Sequence, residues 1–388
     1  MRHRLSSAKA FVLQLFVAAA ATLPGMPASA QNITSQEWGA TDKGERVELF
    51  TLKGARGLEA RITNFGGRVV DLYVPNAHGS KTDVELGFDD FQSYYRKDNI
   101  YGALVGRYVG RISHGGSFPL DGKTYQLQKT APDAKYVIHG GTAAFSNKVW
   151  TAQISDGEEP SLILTLDSPD GDGGFPGMLR TSVTYTVTRN NELKLDYRAS
   201  AVGGPTIANL TNHSYFALQG EGNGDISGQT IQVFADKYTP ADADNLQTGR
   251  ILPVDGTPLD FRKPARLGDV LHSSFPQIAM RQGLDINFVV NGKPGILRPA
   301  ARLKDPSTGI VLDVATTQPC ILLYSDGIGH RTMTGKGGKI YRTFYAMSLE
   351  TQNYLDAVNH PEFPATPSTI LEPGNPLHEV TVFKFSNG

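Results

Sequence analysis

The chain has 388 residues, 37 Lys+Arg against 38 Asp+Glu, and a formal net charge of −1. That balance argues against a nucleic-acid binder, which needs a basic surface to displace phosphate counterions. With 39% apolar and 19% charged residues it is neither a disordered tail nor a membrane bundle, and a lone cysteine, Cys320, excludes an intramolecular disulfide framework and a Cys-rich metal or iron–sulfur site.

At the N-terminus, Arg2, Arg4 and Lys9 accompany an almost unbroken apolar run of 14 residues, Ala10 to Leu23, interrupted at Gln14. Ala28-Ser29-Ala30 supplies the small residues of a signal-peptidase site. Fourteen residues fall short of the ~20 needed to span a bilayer. Residues 1–30 therefore read as a secretory signal peptide cleaved after Ala30. Its removal takes away three basic and no acidic side chains, so the net charge goes from −1 to −4. The expected destination is the periplasm or the exterior, with no membrane contact in the mature form. Cys320 sits among Pro319, Ile321 and Leu322, which favours burial.

Residues 31–388 contain no Ser/Pro/Gly-rich linker, charge block or repeat, so a single domain is expected there. Glycine (42) and proline (23) exceed the usual ~12%, which favours short strands over long helices. Period-2 alternation predicts strands at Arg68–Val74, Leu162–Leu166, Thr230–Phe234, Gly309–Val314 and Val380–Phe385. Thr181–Thr188 and Leu193–Tyr197, around Arg189-Asn190-Asn191, predict a hairpin. No 15-residue window carries a clear helical period. The expectation is an all-β antiparallel stack of sheets, sandwich or barrel-like, with no parallel cofactor fold. The glycine runs Gly220–Gly224 and Gly335–Gly338 lack the strand–helix context of a phosphate loop and read as surface turns.

Polar residues interrupt otherwise apolar strands at four places. Arg107 and Arg111, four apart, point the same way if their segment is a strand, towards substrate oxygens or a carboxylate. His139 ends the Val137-Ile138 strand before Gly140-Gly141, which leaves its ring uncrowded; a surface turn explains it equally well. In Asn209-Leu210-Thr211-Asn212-His213-Ser214-Tyr215-Phe216, the odd residues Asn209, Thr211, His213 and Tyr215 share one face; a fully solvated face is the alternative, but Leu210 and Phe216 anchor the other face, which favours the wall of a wet cleft. In Met347-Ser348-Leu349-Glu350-Thr351-Gln352, Glu350 lies mid-strand among apolar neighbours. Desolvation there suits a general base; a structural Glu paired with an Arg is the equal alternative. Asp285 brings a further carboxylate into the strand Gly283–Val289. Metal-ligand spacings and a nucleophile elbow are absent. What remains is His-plus-carboxylate acid–base chemistry on a neutral polar cleft, which fits a sugar.

These segments, in order, resemble the aldose 1-epimerase (galactose mutarotase) family across nearly all of residues 35–387. The matching pieces include Asn64-Phe65-Gly66-Gly67, Leu86-Gly87-Phe88-Asp89, Gly106-Arg107-Tyr108 with Arg111-Ile112, His139-Gly140-Gly141, Asn209 to Phe216, and Leu349-Glu350-Thr351-Gln352. The resemblance implies a large antiparallel β-supersandwich, a free aldose as substrate, no cofactor or metal, and a monomer or dimer. It implies Glu350 as general base, His213, protonated, as general acid, and His139, Arg111 and Asp285 as substrate-binding residues. Three positions depart from the family's pattern: Gly110 for an Asn, Ile286 for a His and Leu322 for a Gln. All three are expected at the sugar pocket, so the resemblance implies the reaction and leaves the preferred sugar open. A glycoside hydrolase using Glu350 with Asp285, or a sugar-binding protein without catalysis, would use the same cleft.

Overall fold

Alternation of apolar and polar residues dictates which face of each strand is buried. Glu192–Val202 buries Leu193, Leu195, Tyr197 and Ala199 and turns the residues between them outward. It pairs with Met178–Val187 from Val187↔Leu193 to Met178↔Val202, which is the expected hairpin, made longer than the alternation alone marked. Asn191, at φ 58°, makes the turn. The structure is a computed structural model that describes residue 1 and residues 31–97, 99–325 and 332–388. The signal segment expected over 1–30 lies outside the described residues, Met1 aside.

Among the described residues the largest sheet has nine strands and is antiparallel throughout. The C-terminal strand Leu377–Asn387 lies near its middle, between Glu192–Val202 and Ile310–Thr316. A five-stranded antiparallel meander, Ile33 to Asp83, precedes it in the chain. The longest described helix, Phe91–Arg96, has six residues and begins at Asp90, whose side chain accepts from Ser93 N.

The sheet that carries the site has six strands. In spatial order they are Tyr215–Phe216, Met347–Gln352, Cys320–Tyr324, Asp285–Val290, Ala235–Thr239 and Leu252–Pro253. Its two faces differ sharply. One carries Met347, Leu349, Ile321, Leu323, Ile286 and Phe288, all fully buried in the same apolar cluster as Leu312, Val314 and Phe383 of the nine-stranded sheet. Burial stabilises each such side chain by ~1.5–3 kcal/mol. Phe216 packs against Phe383, ring centroids 5.0 Å apart and planes tilted by 55°, and ties the two sheets together. The opposite face carries Ser348, Glu350, Gln352, Tyr324, Asp285 and Asn287. A rigid apolar underside thus holds a polar upper face in register.

One turn differs from expectation. Gly335–Gly338 is not a plain surface turn, because Lys336 within it is buried. Its ammonium sits 2.9 Å from Asp71 and 2.7 Å from Asp83 and donates to the Glu85 carbonyl at 3.0 Å. Short flanking glycines let the backbone turn sharply enough to deliver it there. Cys320 is fully buried.

Candidate active site

Strand register builds the site. Leu322 lies opposite Glu350, and Asn287 lies opposite Leu322. Tyr215 lies opposite Ser348, and two residues earlier in the chain His213 comes beside Glu350. The row across the sheet therefore reads Glu350, Leu322, Asn287, with His213 set beside Glu350 from the short strand Thr211–His213, which pairs with Ala103–Val105. His213 Nε2 and Glu350 Oε1 are 3.3 Å apart, with the two side chains 5% and 3% exposed. His213 Nδ1 contacts Ser348 Oγ at 3.3 Å, and its ring stacks on Tyr215 at 4.9 Å.

Glu350, His213, His139, Arg111 and Asp285 come together around one pocket of about 170 Å³, room for a single sugar ring. The pocket opens beside a cleft of about 1210 Å³, with which it shares Ile100, Ile138, His139, Tyr215, Arg281 and Tyr324. His139 follows its strand at φ 52°, as a strand-end residue. Gly110 N donates to His139 Nδ1 at 3.2 Å, so the ring's proton is on Nε2 and can be donated into the pocket. Asp285 is held from one side. Asn245 Nδ2 at 2.8 Å and Arg281 Nε at 3.1 Å both donate to Oδ2, and Arg281 Nη2 lies 3.0 Å from it. Oδ1 has no such donor among the described residues and is left for a hydroxyl. The Arg111 guanidinium lies over Tyr136 at 5.1 Å and lines the pocket wall.

Burial sets the charge states. It pushes the Glu350 carboxyl well above its ordinary range, and the charge of Asp285 adds to the rise while Arg111 opposes it. Burial pushes the His213 imidazole down to about 3, with a smaller push from Arg68. His139 is also held well below its ordinary value, by burial first and then by His213 and Arg111. Burial alone therefore disfavours the expected His213 imidazolium. Burial thus disfavours charge on either group alone, and an imidazolium is best accommodated as the partner of an ionised Glu350, 3.3 Å away. His139, held below its ordinary value, is placed to act as a neutral donor. Among the described residues no group of three or more His, Cys, Asp or Glu is placed to hold a metal ion.

Other expectations are corrected in detail. Arg107 does not reach the pocket. It is fully buried and donates to Ser168 O, Pro169 O, Pro176 O, Gly177 O and the hydroxyls of Ser168 and Thr206, so it is a structural clamp. The Asn209–Tyr215 face splits in function. His213 and Tyr215 line the pocket, whereas Asn209 accepts from Asn353 N and Thr211 donates to Thr351 O. Their hydrogen-bonding capacity goes to backbone, not to a wet wall. Ile286 faces the apolar underside and is not in the pocket. Leu322 does line it. At Gly110, φ is 77° and a Cβ would lie 2.2 Å from Leu355 Cδ2, so the leucine fills the space a side chain there would take.

Sequence reasoning missed Arg281 and Leu355. Arg281 stands four residues before Asp285, a spacing that could have flagged it had a turn been recognised there. Leu355 carried no signal.

A family model described as aldose 1-epimerase matches residues 48–384. The chain is 39% identical to the galactose mutarotase of Rattus norvegicus over 345 residues, 88% of this chain and 95% of the relative. It is 30% identical to the aldose 1-epimerase of Escherichia coli K12 over 342 residues, 88% and 96% of the two chains. Among solved structures, a galactose 1-epimerase from Lactobacillus acidophilus superposes with a TM-score of 0.79 at 26% identity, covering 92% of this chain and all of that one. An aldose epimerase homologue from C. elegans gives 0.77 at 28% identity, covering 87% and 98%.

Proposed function

The chain belongs to the aldose 1-epimerase family, and from that premise we propose that it interconverts the α and β anomers of a free aldose, with Glu350 as base and His213 as acid. The observation that carries this reading is the buried Glu350–His213 pair, 3.3 Å apart, beside a pocket the size of one sugar ring.

The reaction starts from the form in which Glu350 is ionised and His213 protonated. Glu350 takes the proton of the C1 hydroxyl. His213 gives its Nε2 proton to the ring oxygen, the C1–O5 bond breaks and a C1 carbonyl forms. The open aldehyde rotates about C1–C2. His213 then takes the O5 proton back as O5 attacks the other face of C1, and Glu350 returns a proton to O1. Each proton transfer of this kind supplies ~10²–10⁴. Mid-reaction, Glu350 is neutral and His213 is neutral, which is the form that burial favours. The environment thus stabilises the state that accompanies the open-chain intermediate. His139, through Nε2–H, and Arg111 orient sugar oxygens, and Asp285 accepts a hydroxyl at Oδ1. The hydrolase reading needs a water activated for a glycosidic bond, and neither the family nor the paired proton favours it.

The test is anomer interconversion followed by polarimetry or NMR, with fresh α-anomers of glucose, galactose, xylose and arabinose. Acceleration by the wild type and none by Glu350→Gln is the expected result. A folded protein that accelerates none of them overturns the reading. We further propose that residues 1–30 are removed on export and that 31–388 is the catalytic domain. A mature N-terminus other than Gln31 counts against the first part.

A further inference from the structure

We propose that Leu322 faces C2 of the bound sugar and makes this epimerase accept aldoses lacking the C2 hydroxyl at least as well as their 2-hydroxy parents. This rests on the roles assigned above to Glu350 and His213. It follows from the order of side chains across the sheet. Leu322 lies one strand away from Glu350, a step of ~4.8 Å, and His213 lies against Glu350 from the Tyr215 side, 3.3 Å away. In a pyranose, C1 has two ring neighbours, O5 and C2. With O5 at His213 and the C1 hydroxyl at Glu350, the row continues onto C2 and its substituent at Leu322.

Leu322 is 7% exposed, so what little surface it shows is turned to the pocket. Leu355, over Gly110, adds a second apolar contact to the same pocket. The next polar group in the row does not compensate. Asn287 Nδ2 already donates to Thr239 Oγ1 at 3.2 Å, and its Oδ1 faces Gln352 Nε2 at 3.5 Å. A C2 hydroxyl placed against Leu322 gives up water and gains no partner from that side chain, whereas a C2 hydrogen loses nothing. An apolar wall rejects an added hydroxyl weakly, by ~10–100-fold, so the preference is graded and not absolute.

The experiment compares kcat/KM, each corrected for the uncatalysed rate, for 2-deoxyglucose against glucose and 2-deoxygalactose against galactose. Wild type should give a deoxy-to-parent ratio at or above one. Leu322→Gln, close in shape to Leu but able to bond a hydroxyl, should lower that ratio by about tenfold or more. Leu322→Met, which keeps the wall apolar, should keep the wild-type ratio. The amount of active enzyme cancels in each ratio, and the difference in intrinsic ring-opening rate between the two sugars cancels when a variant's ratio is divided by the wild-type ratio. A wild-type ratio of a tenth or less, or a ratio unmoved by Leu322→Gln in a protein that still turns over glucose, overturns the proposal. Wild type inactive on all four sugars would instead overturn the epimerase reading, and this proposal with it.

Discussion

Glu350→Gln should do more than remove a base. The glutamine has the shape of the protonated carboxyl, so His213 keeps the surroundings that hold its pKa at about 3. With no carboxylate to pair with, the imidazolium fraction at pH 7 falls to ~10⁻⁴, tenfold for each unit between the pKa and the pH. The acid is lost along with the base. The loss in kcat/KM at pH 7 should therefore be ~10⁴ or more, beyond the lower part of the ~10²–10⁴ range of a single general-base deletion. His213→Asn should cost about as much, because Glu350 alone then holds the proton it needs to shed. Glu350→Gln combined with His213→Asn should lose hardly more than either single change, as groups acting as one unit do. The pH dependence is more telling. As pH falls from 7 to 5, the imidazolium fraction in Glu350→Gln rises ~100-fold, so its residual rate should climb about tenfold per unit. The assay is polarimetry at constant ionic strength with the buffer rate subtracted at each pH. A flat profile for Glu350→Gln, or a double variant whose loss equals the product of the single losses, would refute the shared-proton argument.

Three further outcomes are expected. Removing the charge of Asp285, which holds the Glu350 pKa up, lowers that pKa; the alkaline limb of kcat/KM, where the pair loses its proton, should move to lower pH in Asp285→Asn, and an upward shift contradicts the assignment. Lys336→Met leaves Asp71 and Asp83 buried without their ammonium; breaking such a cluster costs ~3–5 kcal/mol, or ~4–7 °C in Tm for a domain of this size. Burial already holds Asp71 above its ordinary pKa, and loss of the lysine raises it further, so the deficit should be full at pH 7 and shrink towards pH 4 as Asp71 takes a proton; calorimetry that shows a pH-independent deficit refutes this. Ile286→Ala should cost ~2–5 kcal/mol of stability by emptying the core underside, yet leave KM for any sugar within about twofold; a large KM change would place Ile286 in the pocket.

The strands and the site face were legible because both follow from a period of two. Ser348, Glu350 and Gln352 alternate with Met347, Leu349 and Thr351, and the structure puts the first set in or beside the pocket and turns Met347 and Leu349 to the core. The same rule misleads at Asn209–Tyr215, where it predicts a wet polar face. Alternation tells which residues share a face and not what covers it; Asn209 and Thr211 are covered by the 351–354 backbone. Arg107 misled for a related reason. Its segment is not a continuous strand, so its four-residue offset from Arg111 carries no shared direction. Arg281 and Leu355 reach the pocket from turns, whose course depends on long-range packing that no local pattern encodes. The charge state of His213 was also out of reach, since it depends on burial rather than on the residues beside it in the chain.

The buried pair also explains why a plain sheet can run a reaction in both directions. The two anomers are close in free energy, so an epimerase must protonate and deprotonate with equal ease from either ring face. Two separately solvated groups would each need a pKa near the working pH. A buried pair sharing one proton needs only that its two tautomers be close in energy. Burial disfavours charge on both partners, and their mutual attraction at 3.3 Å offsets that cost when both are charged. The pair therefore moves between ion pair and neutral pair with no change in net charge. The strands beneath fix the distance: Leu349 and Leu323 pack in the core under Glu350 and Leu322, so the carboxylate is held against the imidazole without a moving part. Loosening that underside, for instance with Leu349→Ala, should lower kcat while leaving KM nearly unchanged, because sugar contacts on Asp285 and His139 lie on other strands. A KM effect equal to the kcat effect would show that the whole pocket, and not the pair, depends on that leucine.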